Sequence, residues 1–314
     1  MGKYLVTGGA GFIGCNLTRF LLAKGHDVTV LDNFATGKHE NLTEILDRIT
    51  LVEGDIRDRE TADRAVAGCT AIFHEAALGS VPRSVADPVA SHDANVNGTV
   101  TVLEAARAAG VNRLVFAASS SAYGNQKLSP KHEGMVPMPI SPYAASKIAC
   151  EGYLRAYAAV YGMETLALRY FNVFGPHQDP EGAYAAAIPA FVSRMLRGES
   201  PIVFGDGEQS RDFCFIENVC EANWLAANAP AEVCDGRAVN IACNRATSLN
   251  QILAQLRELL DCDVHPEYAA PRAGDVKDSL ANISLARETI GYEPKVYFQE
   301  GLAKAIGWYK ANLG

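Results

Sequence analysis

The 314-residue chain predicts an α/β fold, a doubly wound parallel sheet with a smaller C-terminal region packed over its end. Two observations carry this. Short apolar runs alternate with helically spaced runs from the first residues to about residue 175. Beyond that the pattern loosens into the Gly- and Pro-rich stretches "GPHQDPEGAYAAAIP" and "PIVFGDGEQSRDF".

The elements read in order. "KYLVTG" is a strand, and residues 12–24, "FIGCNLTRFLLAK", form a helix that Gly25 stops. "DVTVLD" and "ITLVEGD" are the next strands, followed by a helix near 59–67 and the strand "AIFHEAA". A helix near 93–109 leads through Gly110 to "RLVFAAS", and a helix over 142–161 leads to "ETLALRYFNV". "RAVNIAC" reads as a strand that returns to the main sheet. Residues 1–175, with a returning segment near 212–250, are expected to form one domain, and 176–314 mainly a second, discontinuous one.

Composition narrows the function. Hydrophobic residues make up 48% and charged residues 20%, enough apolar matter for a sizeable core. The net charge of −8 argues against nucleic acid or an anionic membrane as the main partner. The cysteines at 15, 69, 150, 214, 220, 234, 243 and 262 form no C-x-x-C pair, so we expect no metal site and reduced thiols. No apolar run reaches the ~18 residues of a membrane span. The start "MGKYLVTGG" enters a strand directly, with no secretory signal, so a cytoplasmic location is expected.

"TGGAGFIG" puts Gly8, Gly11 and Gly14 at the first strand-to-helix turn. Glycine lets the backbone turn tightly and approach a pyrophosphate, which then meets the positive end of the helix. Asp32, 18 residues after Gly14, closes the second strand. A carboxylate there takes the ribose hydroxyls of NAD and repels the 2′-phosphate of NADP, and no arginine follows in "DNFATG". The cofactor is therefore expected to be NAD. Asp55 and Ile56, after the third strand, suit adenine, although an aspartate there also suits a helix cap. Ala76 and Ala77 leave room for a cofactor, and His74 reads as a core histidine.

In "SPYAASK", Tyr143 and Lys147 are four apart and share one face of a helix. A phenol works as acid or base only if its pKa falls from about 10 toward 7, which costs about 4 kcal/mol. A neighbouring ammonium in a partly desolvated site supplies that. Ser119 ends a strand 24 residues earlier, at the start of "SSSAYG".

Together "TGGAGFIG", "SSSAYG", "YAASK" and "RYFNVFG" resemble the extended short-chain dehydrogenase/reductase family, in particular its nucleotide-sugar epimerases, over nearly the whole chain. "AALGSVPRS", "QDPEGAYAAAIP" and "SRDFCFIENV" are similar to bacterial UDP-N-acetylglucosamine 4-epimerases. The resemblance implies a Rossmann-type NAD-binding domain, a smaller substrate-binding domain and a homodimer built on the helix that carries Tyr143, although a core helix would read the same. It implies Ser119, Tyr143 and Lys147 as the catalytic residues. For NAD it implies Gly8, Gly11, Phe12, Ile13, Gly14, Asp32, Asn33, Phe34, Thr36, Gly37, Asp55, Ile56, Ala76, Ala77, Asn95, Tyr143, Lys147 and Tyr170. For a UDP-sugar it implies Ser80, Ser119, Ser121, Tyr143, Asn172, Ala186, Ile202, Phe204, Arg211, Arg272, Asp275 and Ser279. Ile202 and Phe204 would cradle uracil, and Asn172, Arg211 and Arg272 the diphosphate, where an arginine fork is apt. Ser279, seven residues after Arg272, would wall the hexose pocket and leave room for a 2-acetamido group.

Related sugar 4,6-dehydratases carry an Asp/Glu pair in the serine stretch. Its absence here implies oxidation and re-reduction at carbon 4 without loss of water. The expected activity is NAD-dependent 4-epimerisation of UDP-N-acetylglucosamine and UDP-N-acetylgalactosamine, with the UDP-glucose pair fitting more loosely. The alternatives are a UDP-uronate 4-epimerase or decarboxylase, or an NAD-sensing protein without turnover.

Overall fold

A run of β-branched and leucine residues with few charges makes strands that can be covered on both faces. Such runs build the centre of this molecule, a computed structural model that describes residues 2–179, 187–270 and 278–313. In chain order the first half holds β1 (Lys3–Thr7), α1 (Phe12–Ala23), β2 (Asp27–Asp32), β3 (Ile49–Glu53), α2 (Arg59–Val66) and β4 (Ala71–His74). Two short helices follow, α3 (Val81–Ala86) and α4 (Pro88–His92), then α5 (Gly98–Ala109), β5 (Arg113–Ser119), α6 (Pro142–Tyr161) and β6 (Glu164–Tyr170). The second half holds β7 (Val173–Phe174), α7 (Ala187–Leu196), β8 (Ile202–Phe204), β9 (Ser210–Asp212), β10 (Cys214–Phe215) and α8 (Ile216–Ala227). It ends with β11 (Asp235–Ile241), β12 (Ala246–Ser248), α9 (Leu249–Leu260), β13 (Glu267–Ala269), β14 (Asp278–Ser279), α10 (Ser284–Ile290) and α11 (Phe298–Asn312).

Seven strands form one parallel sheet in the order β11-β6-β5-β4-β1-β2-β3. The order reverses beside β1, and ligands bind at such a switch point, outside the carboxyl ends of the strands. Two apolar clusters cover the two faces. One joins Leu5, Ile72 and Leu114 to the buried sides of α2, α5 and α6. The other runs from Val6, Phe73 and Leu168 through α1 and α8 into α9, α10 and α11. The C-terminal region thus shares a core with the sheet, while β12-β9-β14 and β13-β8 form small sheets of their own over its end.

The expected helix near 93–109 is interrupted. A turn of π-helix spans Asp93–Asn97 before α5 begins, and α3 and α4 precede it. Asn95 explains the irregularity, because its amide is drawn toward the β4 loop, where Oδ1 accepts from the Leu78 N–H at 2.7 Å. His74 is a core histidine as expected: it is fully buried, and its two nitrogens meet the hydroxyls of Thr7 (2.7 Å) and Thr99 (3.0 Å). Burial and the Lys147 ammonium push its pKa down to about 3, so the ring is neutral. The eight cysteines are free thiols, all buried but Cys262. Among the described residues there is no metal-ligating cluster, and no described helix is long and apolar enough to cross a membrane.

Candidate active site

At the end of β1 the chain turns through Gly8 at φ +68°, where a side chain is strained. A Cβ there would lie 2.7 Å from the backbone nitrogen of Ala76, so only glycine lets the two loops close. A Cβ on Gly14 would lie 2.1 Å from the Gly8 carbonyl oxygen. No side chain caps the start of α1, where Gly11 is the N-cap and Phe12 and Ile13 open the first turn. That end therefore presents backbone N–H groups and the positive helix pole to an anion.

A cavity of about 240 Å³ opens beside this turn, lined by Gly8, Gly11, Asp32, Asn33, Thr36, Asp55, Ile56, Ala76 and Ala77 among others. Asp32 is buried, and its oxygens accept from the Ala10 N–H (2.9 Å) and the Phe34 N–H (2.8 Å), which fixes the carboxyl and leaves lone pairs for a ribose. Burial raises its pKa. Phe34 and Gly37 do not line the cavity but shape it: Phe34 sits at φ +55° with its ring stacked on His39, and a Cβ on Gly37 would press on Ala10.

Asp55 is held by Asn33 (2.8 Å) and by Arg57, whose bonds push the carboxyl down to about 2. The helix cap belongs to Asp58, which accepts from the Glu60 N–H. Arg57 lines the cavity and also binds Asp93 at 2.5 Å, so two carboxylates neutralise an arginine that is otherwise suited to a 2′-phosphate. Arg57 and Glu75 are lining residues that sequence reasoning missed. Each looks in sequence like an ordinary surface charge, and only the strand order brings both to this cavity.

Asn95 and Tyr170 do not line it. The Asn95 amide is occupied by Leu78 and by Ser146 Oγ (3.0 Å). The Tyr170 hydroxyl donates to Glu75 (2.9 Å) and accepts from Asn223 (2.8 Å). Both residues position others rather than reach the cavity.

Ser119 ends β5, beside Tyr170 of β6 in the sheet register. Ser141 caps α6 by accepting from the Ala144 N–H (3.1 Å), and Pro142 opens the helix. The Ser84 Oγ accepts from the Tyr143 N–H at 3.0 Å, which fixes the start of the helix. Lys147, only 3% exposed, donates to the Ala117 carbonyl at 2.7 Å and lies 5.9 Å from the centre of the Tyr143 ring. A second cavity of about 380 Å³ is lined by Ser119, Ser120, Ser121, Tyr143, Asn172, Arg211 and Ser279. Ser119 Oγ accepts from the Ser121 N–H (3.2 Å), whereas Ser121 Oγ is buried without a protein partner.

A third cavity, about 320 Å³, is lined by Ile202, Phe204, Gln178, Phe213 and again Asn172 and Arg211. The two cavities therefore share a wall of one amide and one guanidinium, the chemistry suited to a diphosphate. Pairing of β14 with β9 sets Ser279 opposite Arg211. Ser80 lies outside these walls and caps α3. Ala186, Arg272 and Asp275 lie outside the described residues.

The model of the NAD-dependent epimerase/dehydratase family matches residues 4–242. The chain belongs to this family. It is 39% identical over 312 residues to the UDP-glucose 4-epimerase of Mycolicibacterium smegmatis, covering 98% of each chain. Its fold matches the UDP-N-acetylglucosamine 4-epimerase of Methanobrevibacter ruminantium, solved with UDP-N-acetylmuramic acid, at a TM-score of 0.93 and 36% identity, over 99% of this chain and 98% of that one. It also matches the UDP-glucose 4-epimerase of Thermus thermophilus, solved with NAD, at 0.87 and 35%, over 99% of each. This family member is an NAD-dependent enzyme with the α/β, Rossmann-type sheet that the glycine turn and Asp32 foretold.

Proposed function

We propose that the enzyme interconverts UDP-N-acetylglucosamine and UDP-N-acetylgalactosamine, and more loosely UDP-glucose and UDP-galactose, by inverting carbon 4. The observation that carries this reading is the single cavity that gathers Ser119, Tyr143 and the small Ser279, joined through Asn172 and Arg211 to a second cavity of nucleotide size. At the coarser level the activity, 4-epimerisation of a UDP-sugar, is that named for its relatives.

The residues divide the work. Tyr143 removes the proton of the 4-hydroxyl directly or through Ser119, and the buried Lys147 ammonium stabilises the phenolate. Bound NAD supplies the acceptor and donor of the carbon-4 hydride. Asn172 and Arg211 hold the diphosphate while the 4-keto sugar turns over between the two transfers. The serines donate to the 4-oxygen without offering an acid, so a leaving 6-hydroxyl is not protonated and elimination does not compete. Lys131 also lines the hexose cavity, but its ammonium is tied to the carbonyls of Gln126 and Leu128, which favours a neutral sugar over a uronate.

The test is purified protein given each UDP-sugar with no added cofactor. Epimers of the acetylated pair are expected. Ser279→Tyr should abolish their turnover and spare UDP-galactose, since bulk excludes strongly whereas a lost loose contact is worth only about 1–3 kcal/mol. Unchanged turnover of the acetylated sugar by that variant would place the gate elsewhere.

We read the enzyme as a homodimer through α6, which leaves Tyr153, Val160 and Tyr161 exposed at 42%, 70% and 53%. Sedimentation should show a dimer that Tyr153→Glu weakens. A wild-type monomer would remove this assignment.

A further inference from the structure

Glu75 is absent from the chemistry above, yet it occupies a costly position. It follows β4 directly and lines the cofactor cavity next to Ala76 and Ala77. Its Oε1 accepts from the Tyr170 hydroxyl at 2.9 Å, and Tyr170 is itself held by Asn223. Its Oε2 is buried and has no partner in the protein. A buried carboxyl oxygen left bare at a cavity wall is expensive unless something in the cavity answers it.

The topology says which end of the cofactor that is. Asp32 ends β2 and Asp55 follows β3, and β1 lies between β2 and β4. With strands about 4.8 Å apart, Glu75 stands about 10 Å along the sheet edge from the carboxyl assigned to the adenosine ribose. It lies instead on the side of Lys147, whose ammonium acts on it, and of β5, which ends in Ser119.

We propose that Glu75 is a positioning and charge-selecting residue at the reacting end of the cofactor, which favours the oxidised over the reduced nicotinamide. The oxidised ring is cationic and the reduced ring neutral, so a carboxylate beside it in a dry site is felt by the oxidised form alone. An epimerase that keeps its cofactor must return the hydride to sugar every turnover, and a bias toward the oxidised ring serves that return. The inference rests on the NAD-dependence of the family and needs no particular sugar.

The surroundings leave Glu75 able to carry or lose its charge. Tyr170 from β6, Asn223 and Cys220 from α8 and Lys147 from α6 are the groups that face it, and the preceding His74 is neutral and bonds Thr7 and Thr99 instead. Burial pushes its carboxyl up to about 7, against the Tyr170 bond and the Lys147 charge.

The experiment uses holoenzyme without sugar, treated with cyanoborohydride and followed by the near-ultraviolet absorbance of the reduced ring, then by assay of the released cofactor. Above about pH 8, where the carboxyl is ionised, Glu75→Gln is expected to hold a ratio of reduced to oxidised cofactor at least about tenfold above wild type, the scale for one lost charge in a partly screened interior. The wild-type ratio should rise as pH falls through about 7, and the variant's should not. Tyr170→Phe, which spares the carboxyl but removes its donor, should move the wild-type transition to higher pH. A Glu75→Gln holoenzyme with the wild-type ratio and pH dependence overturns the proposal. If that variant does not fold, an unmoved transition in Tyr170→Phe overturns it. Because sugar is absent throughout, an error in the assigned hexose leaves either result standing.

Discussion

Three consecutive serines at the end of β5 do different things. Ser119 takes the Ser121 N–H and lines the cavity that also holds Tyr143, Ser120 lines the same wall, and Ser121 keeps a buried hydroxyl without a protein partner. Tyr143→Phe should lower turnover at least about 100-fold, the usual scale for a lost acid–base group, with an unchanged melting temperature. Steady-state assay with circular dichroism checks both, and near wild-type turnover would exclude the mechanism. Ser119→Ala should cost less, because water or Ser121 can relay the proton. Ser119, Tyr143 and Lys147 were legible in the sequence as candidates because Tyr143 and Lys147 obey helical spacing and Ser119 closes an apolar run. Glu75 was not. Beside His74 in "HEAA" it looks like a charge at a strand end, and its burial depends on Tyr170 and Asn223, 95 and 148 residues away.

At the scale of elements, the β1-to-α1 turn is a joint with no room to spare. Gly14→Ala would force a methyl against the Gly8 carbonyl, where backbone cannot yield cheaply. Overpacking of this kind costs about 1–3 kcal/mol. The variant should melt lower and be purified with much less bound NAD than wild type. Retention of a full complement would show that the turn can relax. The turn was readable from its glycines, and the strands from their apolar runs, because both signals are local. The break before α5 was not, because it follows from an Asn95 amide drawn to Leu78 across 17 residues of chain. Nor were the small sheets over the end of the main one, whose two- and three-residue strands are made by pairing rather than by propensity.

At the scale of the molecule, denatured enzyme should release NAD rather than NADP, since the Asp32 carboxylate lines the cavity and repels a 2′-phosphate, and Arg57 is neutralised by Asp55 and Asp93. Mainly NADP in the supernatant would reverse that reading. Stability should also respond to acid through His74. Its folded pKa of about 3 lies below its unfolded value of 6.5, so the unfolded chain binds the extra proton between those values. The stability it contributes is complete above 6.5 and is lost as pH falls toward about 3. Between pH about 6.5 and about 4.5 that loss is at most about 2–3 kcal/mol. The fall in melting temperature over this window should be steeper in wild type than in His74→Gln, and equal slopes would show that His74 is not the source.

By itself the sequence determined the parallel α/β frame and the glycine turn that opens α1, and it singled out Ser119, Tyr143 and Lys147 as candidates. Each is written in short-range spacing, of a strand, a turn or one helix face, and short-range spacing survives in any folded context. Only the tertiary structure decided which charges are buried and which neighbours share a wall. Strand order carries Glu75 and Arg57 to one cavity, and pairing of β14 with β9 sets Ser279 opposite Arg211. The physical reason is that a carboxyl's charge and a pocket's width depend on what packs against them from distant parts of the chain. Desolvation and close approach are properties of the assembled core, and no local pattern of residues encodes them.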